Sequence, residues 1–297
     1  DIIDAMARSK VVVFCRPCFN FPIQFLVKIA KVNGIKILFE MDDALFPWYS
    51  ADNGIVQSQE YSDKKIYTDR IQEFAFASVV DGFIVSTESL KKELSFLNKP
   101  TLVANNVVED KFFAPQQSPS SDKIKILYSS GTATHRGDLT RWILPFLDNL
   151  DKDRMEIGMI GKYGNYGKAI ENIVPSVKYH DFCPYSEMIK ITSEYDLLFV
   201  PLIQNRFNNC KSAIKFLEAA SVGVPTLATN TDEFARLIKN NETGFIFSNE
   251  GELAHCIKNL QKSKLKEVGK NAQKFVREQL ATSSYRPDIT SFFDRFL

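Results

Sequence analysis

The residues of this sequence with the clearest chemical potential lie in the segment from 197 to 249. Its start, LLFVP, predicts a strand, and a polar loop then leads to a helix with Ser212 as its N-cap and Gly223 at its end. Such a helix directs free N–H groups and the positive end of its dipole toward the carboxyl edge of a sheet. This geometry suits an anion such as a diphosphate.

Three charged side chains accompany that helix. Lys211 and Lys215 lie on or just before its first turn, and Glu218 shares a helical face with Lys215 because the two are three positions apart. The alternative interpretation is an exposed ion pair with no ligand. However, a basic residue at a helix N-terminus is unfavourable unless an anion compensates its charge. We therefore expect a phosphate contact from at least one of the two lysines.

The elements that position these residues follow a regular order, because short β-branched or aromatic runs alternate with helical patterns. This order is typical of parallel βαβ units. In the first series we predict a buried strand at 10–14 and further strands at 35–39 and 82–85. A linker rich in Pro, Ser and Gln follows at 114–122. The second series has predicted strands at 124–128, 155–160, 177–180, 197–200, 226–228 and 244–247.

Two such series predict an α/β protein of two Rossmann-like, doubly wound domains at 1–115 and 123–297, with ligands beyond the carboxyl ends of the strands. The first series is short for such a domain, and the sequence begins only nine residues before its first predicted strand. We therefore expect a truncated N-terminal domain that a further βαβ unit or another chain completes.

Several ordered motifs resemble one family. The string K-x-x-E-A-A-x-x-G-V-P-T (215–226), followed by TDEFARLIKNNETGFIF, resembles the donor domain of GT-B glycosyltransferases, especially glycosyltransferase family 4 (group 1). Residues 77–112 resemble the end of that family's acceptor domain, and ILYSSGTATHRGDL (124–139) resembles the first strand and loop of its donor domain. Residues 177–201 resemble the segment that holds the nucleotide base. The resemblance implies a GT-B fold, in which two Rossmann-like domains face a cleft.

The resemblance also implies a set of donor-binding residues. Glu218 corresponds to the glutamate that hydrogen-bonds the ribose, and a carboxylate can accept from both hydroxyls of a vicinal diol. The base is expected near Phe182, and His135 or Arg136 is expected to contact the donor phosphates or sugar, while Asp138 is expected to cap the next helix. The whole expected set is Gly131, Thr132, His135, Arg136, Gly161, Lys162, Phe182, Lys211, Ser212, Lys215 and Glu218.

One position departs from the family pattern. Family 4 usually carries a second glutamate eight positions before the ribose-binding one, where it contacts the donor sugar, but this sequence has Cys210 there. The N-N-x-K-S-x-x-K form at 208–215 resembles a sub-branch in which lysine and asparagine replace that contact. For this reason the sequence assigns no catalytic residue.

A second group of residues is expected on the acceptor side. Asp42 and Asp43 end an apolar segment and enter the presumed cleft, and Arg16 in the C-R-P-C turn of residues 15–18 is expected to face the same side. Adjacent carboxylates also suit a metal ion or a helix cap. GT-B enzymes offset the diphosphate charge with dipoles and cations, so we expect no metal site. The two thiols of the turn lack a second pair of ligands for zinc.

Composition narrows the class of protein. The net charge of +1 provides no overall field toward nucleic acid or membrane, and no apolar run approaches the ~18 residues of a membrane span. Five cysteines argue against a complete disulfide framework and favour a reducing, cytoplasmic compartment. The amphipathic segment 21–31, with Lys28 and Lys31, leaves peripheral membrane association open, although a buried Rossmann helix explains it as well.

The resemblance to glycosyltransferase family 4 implies a hexosyltransferase-like enzyme without a cofactor. It would move a sugar from a UDP- or GDP-linked donor to a hydroxyl of a glycan or lipid-linked acceptor, with retention, in surface polysaccharide or glycoconjugate biosynthesis. A non-catalytic GT-B-like module for glycan binding or assembly is the main alternative, motivated by Cys210 and the short first domain. A sugar-nucleotide epimerase of the same architecture is a third reading, against which the scarcity of histidines argues.

Overall fold

A computed structural model describes residues 2–44, 46–47, 63–117, 121–129, 136–148, 150–161 and 166–297, with the backbone alone at 63–66, 136 and 166. Contacts divide the chain into two compact units. The first unit comprises Asp1–Asn105, Asn209–Ser212 and Arg286–Leu297, and the second comprises Asn106–Asn208 and Ala213–Tyr285.

The described residues form two parallel sheets and the helices that cover them. The strands are β1 (Val11–Cys15), β2 (Lys36–Met41), β3 (Gly82–Val85), β4 (Thr101–Val103), β5 (Ile124–Ser129), β6 (Met155–Ile160), β7 (Lys178–His180), β8 (Leu197–Val200), β9 (Thr226–Thr229) and β10 (Phe245–Phe247).

The helices are α1 (Ile2–Ala7), α2 (Phe21–Val32), α3 (Asp63–Val79), α4 (Glu88–Leu94), α5 (Arg136–Asp138, the π-helical turn Leu139–Ile143 and Leu144–Asp148), α6 (Tyr166–Ile173), α7 (Tyr185–Ser193), α8 (Arg206–Asn209), α9 (Ile214–Ser221), α10 (Asp232–Leu237), α11 (Glu250–Lys258), α12 (Lys262–Gln279) and α13 (Ile289–Phe293).

The first unit contains a four-stranded parallel sheet in the order β1-β2-β3-β4. The side chains of Phe39 and Phe83 on this sheet are fully buried. Phe76 of α3 contacts Phe39, with 5.1 Å between the ring centroids. The strand predicted at KVVVF is confirmed as β1, but its predicted burial was wrong, because among the described residues β1 pairs only with β2 and Val13 is 44% exposed. The short strand β4 was not predicted.

Helix α2 lies in the first unit and begins with a side-chain cap. Asn20 Oδ1 accepts from the Ile23 N–H at 3.3 Å, and Val27 and Ala30 are buried. Phe21 is 79% exposed, so the helix buries only one of its faces. Across the described ranges of the chain, no helix combines the length and the apolar character that a membrane span requires.

The second unit contains a six-stranded parallel sheet in the order β10-β9-β8-β5-β6-β7. Alternate side chains of one strand enter the cores on opposite faces: Ile126 belongs to one buried cluster and Leu127 to the other. The predicted second series of strands is confirmed, and with it the α/β architecture of two parallel sheets. Helices cover both faces, so the unit is doubly wound.

Residues 106–117 are held against the second unit by backbone hydrogen bonds. The Val108 N–H donates to the Leu280 carbonyl at 3.0 Å, the Ala114 N–H to the Ser221 carbonyl at 3.2 Å, and the Gln117 N–H to the Ser193 carbonyl at 2.8 Å. The unit boundary therefore lies at 105–106, ahead of the predicted linker, whose first residues are tied to α7 and α9.

Candidate functional site

Strands β5 and β8 are neighbours at the centre of the second sheet, although their connections leave in opposite directions. The chain continues from β5 to β6 on one side and from β8 to β9 on the other. Such a topological switch point opens a crevice beyond the carboxyl ends of the two strands, where ligands of doubly wound sheets bind. The loop after β5 holds Gly131, Thr132 and His135, which lie outside the described residues, as do Lys162 and the side chain of Arg136.

The loop after β8 is fixed by side chains from two elements. The Leu202 N–H donates to Thr229 Oγ1 and the Ile203 N–H donates to Asp138 Oδ1, both at 2.7 Å. The indole of Trp142 donates to the Leu202 carbonyl at 3.2 Å. The prediction that Asp138 caps the next helix was wrong, because that carboxyl is buried within α5 and its oxygen accepts from the β8 loop instead. It thereby links the two sides of the switch point.

Helix α9 begins one residue later than the sequence indicated. Its N-cap is Ala213, with φ −85° and ψ 37°, and no side chain accepts a cap hydrogen bond there. The prediction of Ser212 as N-cap was therefore wrong, since the cap position holds a methyl group that cannot accept. Ser212 and Lys211 belong to the segment that groups with the first unit, whereas Lys215 and Glu218 belong to the second.

Lys215 and Glu218 form a mostly buried ion pair on α9. Lys215 Nζ lies 3.2 Å from Glu218 Oε2, and the Glu218 side chain is only 9% exposed. Burial raises the pKa of Glu218, and the charge and hydrogen bond of Lys215 oppose that rise. A carboxylate has about four lone-pair sites, so this pair leaves acceptor capacity for further donors. The two residues thus share one face of α9, as their spacing predicted.

Aromatic and thioether groups of α7 surround this pair. Met188 Sδ lies 3.7 Å from Lys215 Nζ. Burial first, and then the charges of Glu218 and Glu109, raise the pKa of Tyr185 to about 12. Phe182, in the loop between β7 and α7, is 66% exposed. Sequence reasoning missed Tyr185 and Met188, since no motif distinguishes them from ordinary helical residues.

The end of β6 has a backbone conformation that requires glycine. Gly161 has φ +129°, which side-chain-bearing residues rarely adopt, and its N–H approaches the His180 carbonyl at 3.5 Å. His180 Nε2 and the Tyr195 hydroxyl are 2.7 Å apart. Burial, with a smaller effect from Lys178, lowers the pKa of His180. The His180 side chain therefore has a partner within the protein.

Cys210 occupies the position where the family pattern has its first glutamate. It is 1% exposed, and its carbonyl accepts from Thr87 Oγ1 at 2.9 Å within the first unit. A buried thiol is a weak hydrogen-bond donor and acceptor compared with a carboxylate. The replacement of the family's glutamate by Cys210 therefore removes a strong hydrogen-bond acceptor from this position of the folded chain.

The first unit brings three predicted residues together at the carboxyl edge of its sheet. Arg16 Nη2 lies 2.9 Å from Asp42 Oδ1 and 2.7 Å from Asp43 Oδ2. Arg16 has φ +43°, an uncommon conformation for a residue other than glycine. Burial and the neighbouring Asp43 charge raise the pKa of Asp42, while Arg16 lowers it. The contact of this cluster with an acceptor stays a prediction.

The two thiols of the C-R-P-C turn are hydrogen-bonded to other side chains and do not form a disulfide. Cys15 Sγ donates to Glu40 Oε2 at 2.6 Å, and Cys18 Sγ donates to Gln72 Oε1 at 2.8 Å. The bond to Glu40, followed by burial, raises the pKa of Cys15, which favours the thiol over the metal-binding thiolate. Among the described residues, no three His, Cys, Asp or Glu side chains form a group able to hold a metal ion.

The two parallel sheets, with a doubly wound second unit and polar residues beyond the carboxyl ends of its central strands, define the GT-B class of fold. Residues 125–263 match the family model described as "Glycosyl transferases group 1". A comparison with curated protein sequences gives no match.

Three solved structures show the same fold. The crystal structure of TarM has a TM-score of 0.67 at 15% identity, covering 97% of this chain and 54% of that chain, so this chain spans about half of its length. The structure of sucrose-phosphate synthase from Thermosynechococcus elongatus has a TM-score of 0.67 at 15% identity, and the match covers 92% of this chain and 70% of that chain. The structure of Anabaena HepE in complex with UDP and glucose has a TM-score of 0.67 at 12% identity, and the match covers 94% of this chain and 76% of that chain.

Proposed function

We propose that this chain is the nucleotide-sugar-binding part of a group 1 glycosyltransferase, which moves a sugar from a UDP- or GDP-linked donor to a hydroxyl of a glycan or lipid-linked acceptor. The buried carboxylate of Glu218 carries the proposal, because it lies on α9, which follows the central strand β8, and has Lys215 beside it. The group 1 match of residues 125–263 supports the activity. The complex of HepE with UDP and glucose supports the class of donor.

Each donor group would have its own protein contacts. Glu218 would accept from the ribose hydroxyls, the backbone near Phe182 would hold the base, and Lys211 and Lys215 would neutralise the diphosphate with the N-terminus of α9. The loops after β5 and β6 would approach the diphosphate and sugar through Gly131, Thr132, His135, Arg136, Gly161 and Lys162, with Ser212 beside Lys211. The first unit would receive the acceptor at Arg16, Asp42 and Asp43.

The chemistry we propose is transfer with retention, in which the departing diphosphate helps to deprotonate the acceptor hydroxyl. The protein then supplies no strong base. It stabilises the charge that develops on the leaving diphosphate, through lysine side chains and the dipole of α9. Preorganised groups of this kind require no metal ion.

The test is thermal unfolding with UDP, GDP and uridine for the wild type and Lys211→Ala. One diphosphate at about 100 times its dissociation constant should stabilise the wild type by about 2.7 kcal/mol. Lys211→Ala should weaken the diphosphate far more than uridine, since the nucleoside has no phosphate for the lysine to neutralise. Equal losses for both ligands would contradict the phosphate role, and no shift from either diphosphate would contradict the donor site.

A non-catalytic GT-B-like module for glycan binding or assembly is the second candidate, and Cys210 favours it. A buried thiol replaces the carboxylate that would contact the donor sugar. Release of UDP from UDP-glucose, or of GDP from GDP-mannose, distinguishes the two candidates. Turnover above the uncatalysed rate supports the enzyme, whereas nucleotide binding without turnover of either donor, with or without glycan added, supports the module.

A further inference from the structure

A cavity of about 630 Å³ lies at the outer edge of the second unit's sheet, away from the switch point. Edge strand β10, the turn before it, and helices α11 and α12 line it, and one side is open to solvent. Its volume is within the range of about 300–1,000 Å³ typical of ligand pockets. None of its lining residues belongs to the expected donor or acceptor sets, so the cavity has no role in the function proposed above.

The lining combines an apolar floor with a rim of side-chain amides. Phe245, Leu260 and Leu265 are buried and form the floor. The rim amides are Asn240, Asn241, Asn249, Asn259 and Gln261, all of them exposed. An apolar surface bordered by a small number of neutral polar groups is the usual composition of a small-molecule site.

Several of these amides keep hydrogen-bonding groups for a ligand. In the described part of the chain, the side chains of Asn241 and Gln261 form no hydrogen bond with the protein. Asn240 uses its Oδ1 to accept from the Ile246 N–H at 3.1 Å, which leaves its Nδ2 group. Asn259 uses its Nδ2 to donate to the His255 carbonyl at 2.8 Å, which leaves its Oδ1. The rim therefore presents neutral donors and acceptors side by side.

Three acidic or basic residues line the cavity, and each has a partner within the protein: His255 Nε2, for example, lies 3.3 Å from Asn259 Nδ2. Glu252 Oε2 accepts from the Ser248 N–H, and its Oε1 accepts from Asn249 Nδ2, each at 2.8 Å. Lys264 Nζ lies 3.0 Å from Glu267 Oε1. The Glu252 carboxylate would repel a phosphate or carboxylate ligand, and Lys264 would have to exchange Glu267 for it, so these groups favour an uncharged ligand.

The edge of β10 is also closed to an added peptide strand. An extended peptide would need the outward N–H groups of the edge strand. The Ile246 N–H and the following Ser248 N–H are already bonded to the side chains of Asn240 and Glu252. Hydroxyl groups, in contrast, can bond the rim amides without breaking either contact.

We propose that this cavity binds a neutral oligosaccharide. A side-chain amide offers a donor and an acceptor in one plane, which matches two neighbouring hydroxyls of a sugar, and the apolar floor would receive the C–H face of the ring. The proposal does not depend on the donor site, because the two sets of residues are separate. It adds a second glycan contact to the chain, whether or not that chain turns over a nucleotide sugar.

The test is an NMR titration of the full chain with maltotriose, cellotriose and triacetylchitotriose. At least one trisaccharide should shift the amide signals of the lining residues. Asn241→Gly and Gln261→Ala should each raise its dissociation constant about fivefold, the effect of one neutral hydrogen bond. Glycine suits position 241 because its φ is +63°. Gln279→Ala, an exposed glutamine of α12 outside the cavity, is the matched control and should bind like the wild type.

Three outcomes would overturn the proposal, two of them with the neutral sugars alone. One is the absence of shifts at the lining residues with all three sugars, and the other is unchanged affinity in both cavity variants. UDP and GDP are titrated in the same samples, and their shifts are followed at α9. A nucleotide response at α9 without a sugar response at the cavity rejects this inference alone, and the reverse result rejects the donor site alone. Stronger binding of glucose 6-phosphate than of the neutral sugars at the cavity would also overturn it.

Discussion

Glu218→Gln is expected to raise the stability of the ligand-free protein and to weaken nucleotide binding at the same time. Burial raises the pKa of Glu218, and Lys215 at 3.2 Å offsets this only in part. The folded state therefore holds this proton to higher pH than the unfolded chain does. By linkage, the stability contributed by the protonated carboxyl is present below the ordinary glutamate pKa of 4.5 and is lost as pH rises through the folded pKa.

Glutamine removes that pH-dependent loss, because its side chain is nearly isosteric with glutamate and carries no charge. The difference in thermal midpoint between the variant and the wild type should therefore increase as pH rises above 4.5. Lys215 loses its partner in the variant, but its side chain is 28% exposed, so water can solvate the ammonium group. A pH series of thermal unfolding measures the difference.

The effect on affinity follows from the hydrogen bonds that Glu218 would accept from the ribose. A hydrogen bond to a charged group is worth about 1.5–3 kcal/mol. Losing one such bond raises the dissociation constant about 10- to 150-fold, since 1.4 kcal/mol corresponds to a factor of about ten. Isothermal titration with UDP or GDP and with the matching 2′-deoxynucleotide tests the assignment. The wild type should discriminate between the two ligands, and the variant should not.

A matched control separates the ribose contact from a general loss of charge. Glu187→Gln changes an exposed glutamate on the neighbouring helix α7 and should leave both affinities unchanged. If Glu218→Gln kept its preference for the ribonucleotide, the carboxylate would not contact the 2′-hydroxyl. If its midpoint fell at every pH, the ion pair would be a net stabilising feature and the reasoning about burial would be refuted.

Two further substitutions test the framework of the site. Asp138→Ala leaves the Ile203 N–H without its 2.7 Å acceptor and should lower the free energy of unfolding by about 1–3 kcal/mol in urea denaturation, whereas Asp148→Ala at an exposed position of α5 should change it little. Gly269→Ala adds a methyl group 2.0 Å from the Gly223 carbonyl oxygen and should strongly lower the thermal midpoint. Gly167→Ala, which meets no atom within 4 Å, should not lower it. Equal midpoints would refute the close packing of α12 against the turn at Gly223 that follows α9.

The second sheet could be predicted from the sequence because each of its central strands is a short apolar run that ends at turn residues. LLFV of β8 is buried on both faces, and TLAT of β9 follows the turn at Gly223, whose φ is +73°. Edge positions were less predictable. Strand β1 has the same apolar composition as a central strand, yet within the described ranges of the chain it pairs with one strand, and local sequence does not reveal how many neighbours a strand has.

The candidate site likewise has features that the sequence indicated and others that only the structure revealed. The pairing of Lys215 with Glu218 follows from helical spacing, so the sequence alone indicated it. Asp138 illustrates the opposite case: its acidic side chain at the start of α5 has the pattern of a local cap, but its acceptor oxygen is used by Ile203, 65 positions away. The carboxyl satisfies a partly buried backbone N–H of the β8 loop, whereas water can satisfy the exposed N–H groups at a helix end.

The sequence by itself determined the succession of strands and helices, the α/β class and the charged face of α9, because these depend on periodicity within a few residues. Only the tertiary structure decided which distant groups meet. Arg16 contacts Asp42 and Asp43 because β1 and β2 pair in parallel and end at the same edge. The amide-lined cavity likewise forms where the turn before β10 meets α11 and α12, since residues that are separated along the chain become neighbours only after the sheet is assembled.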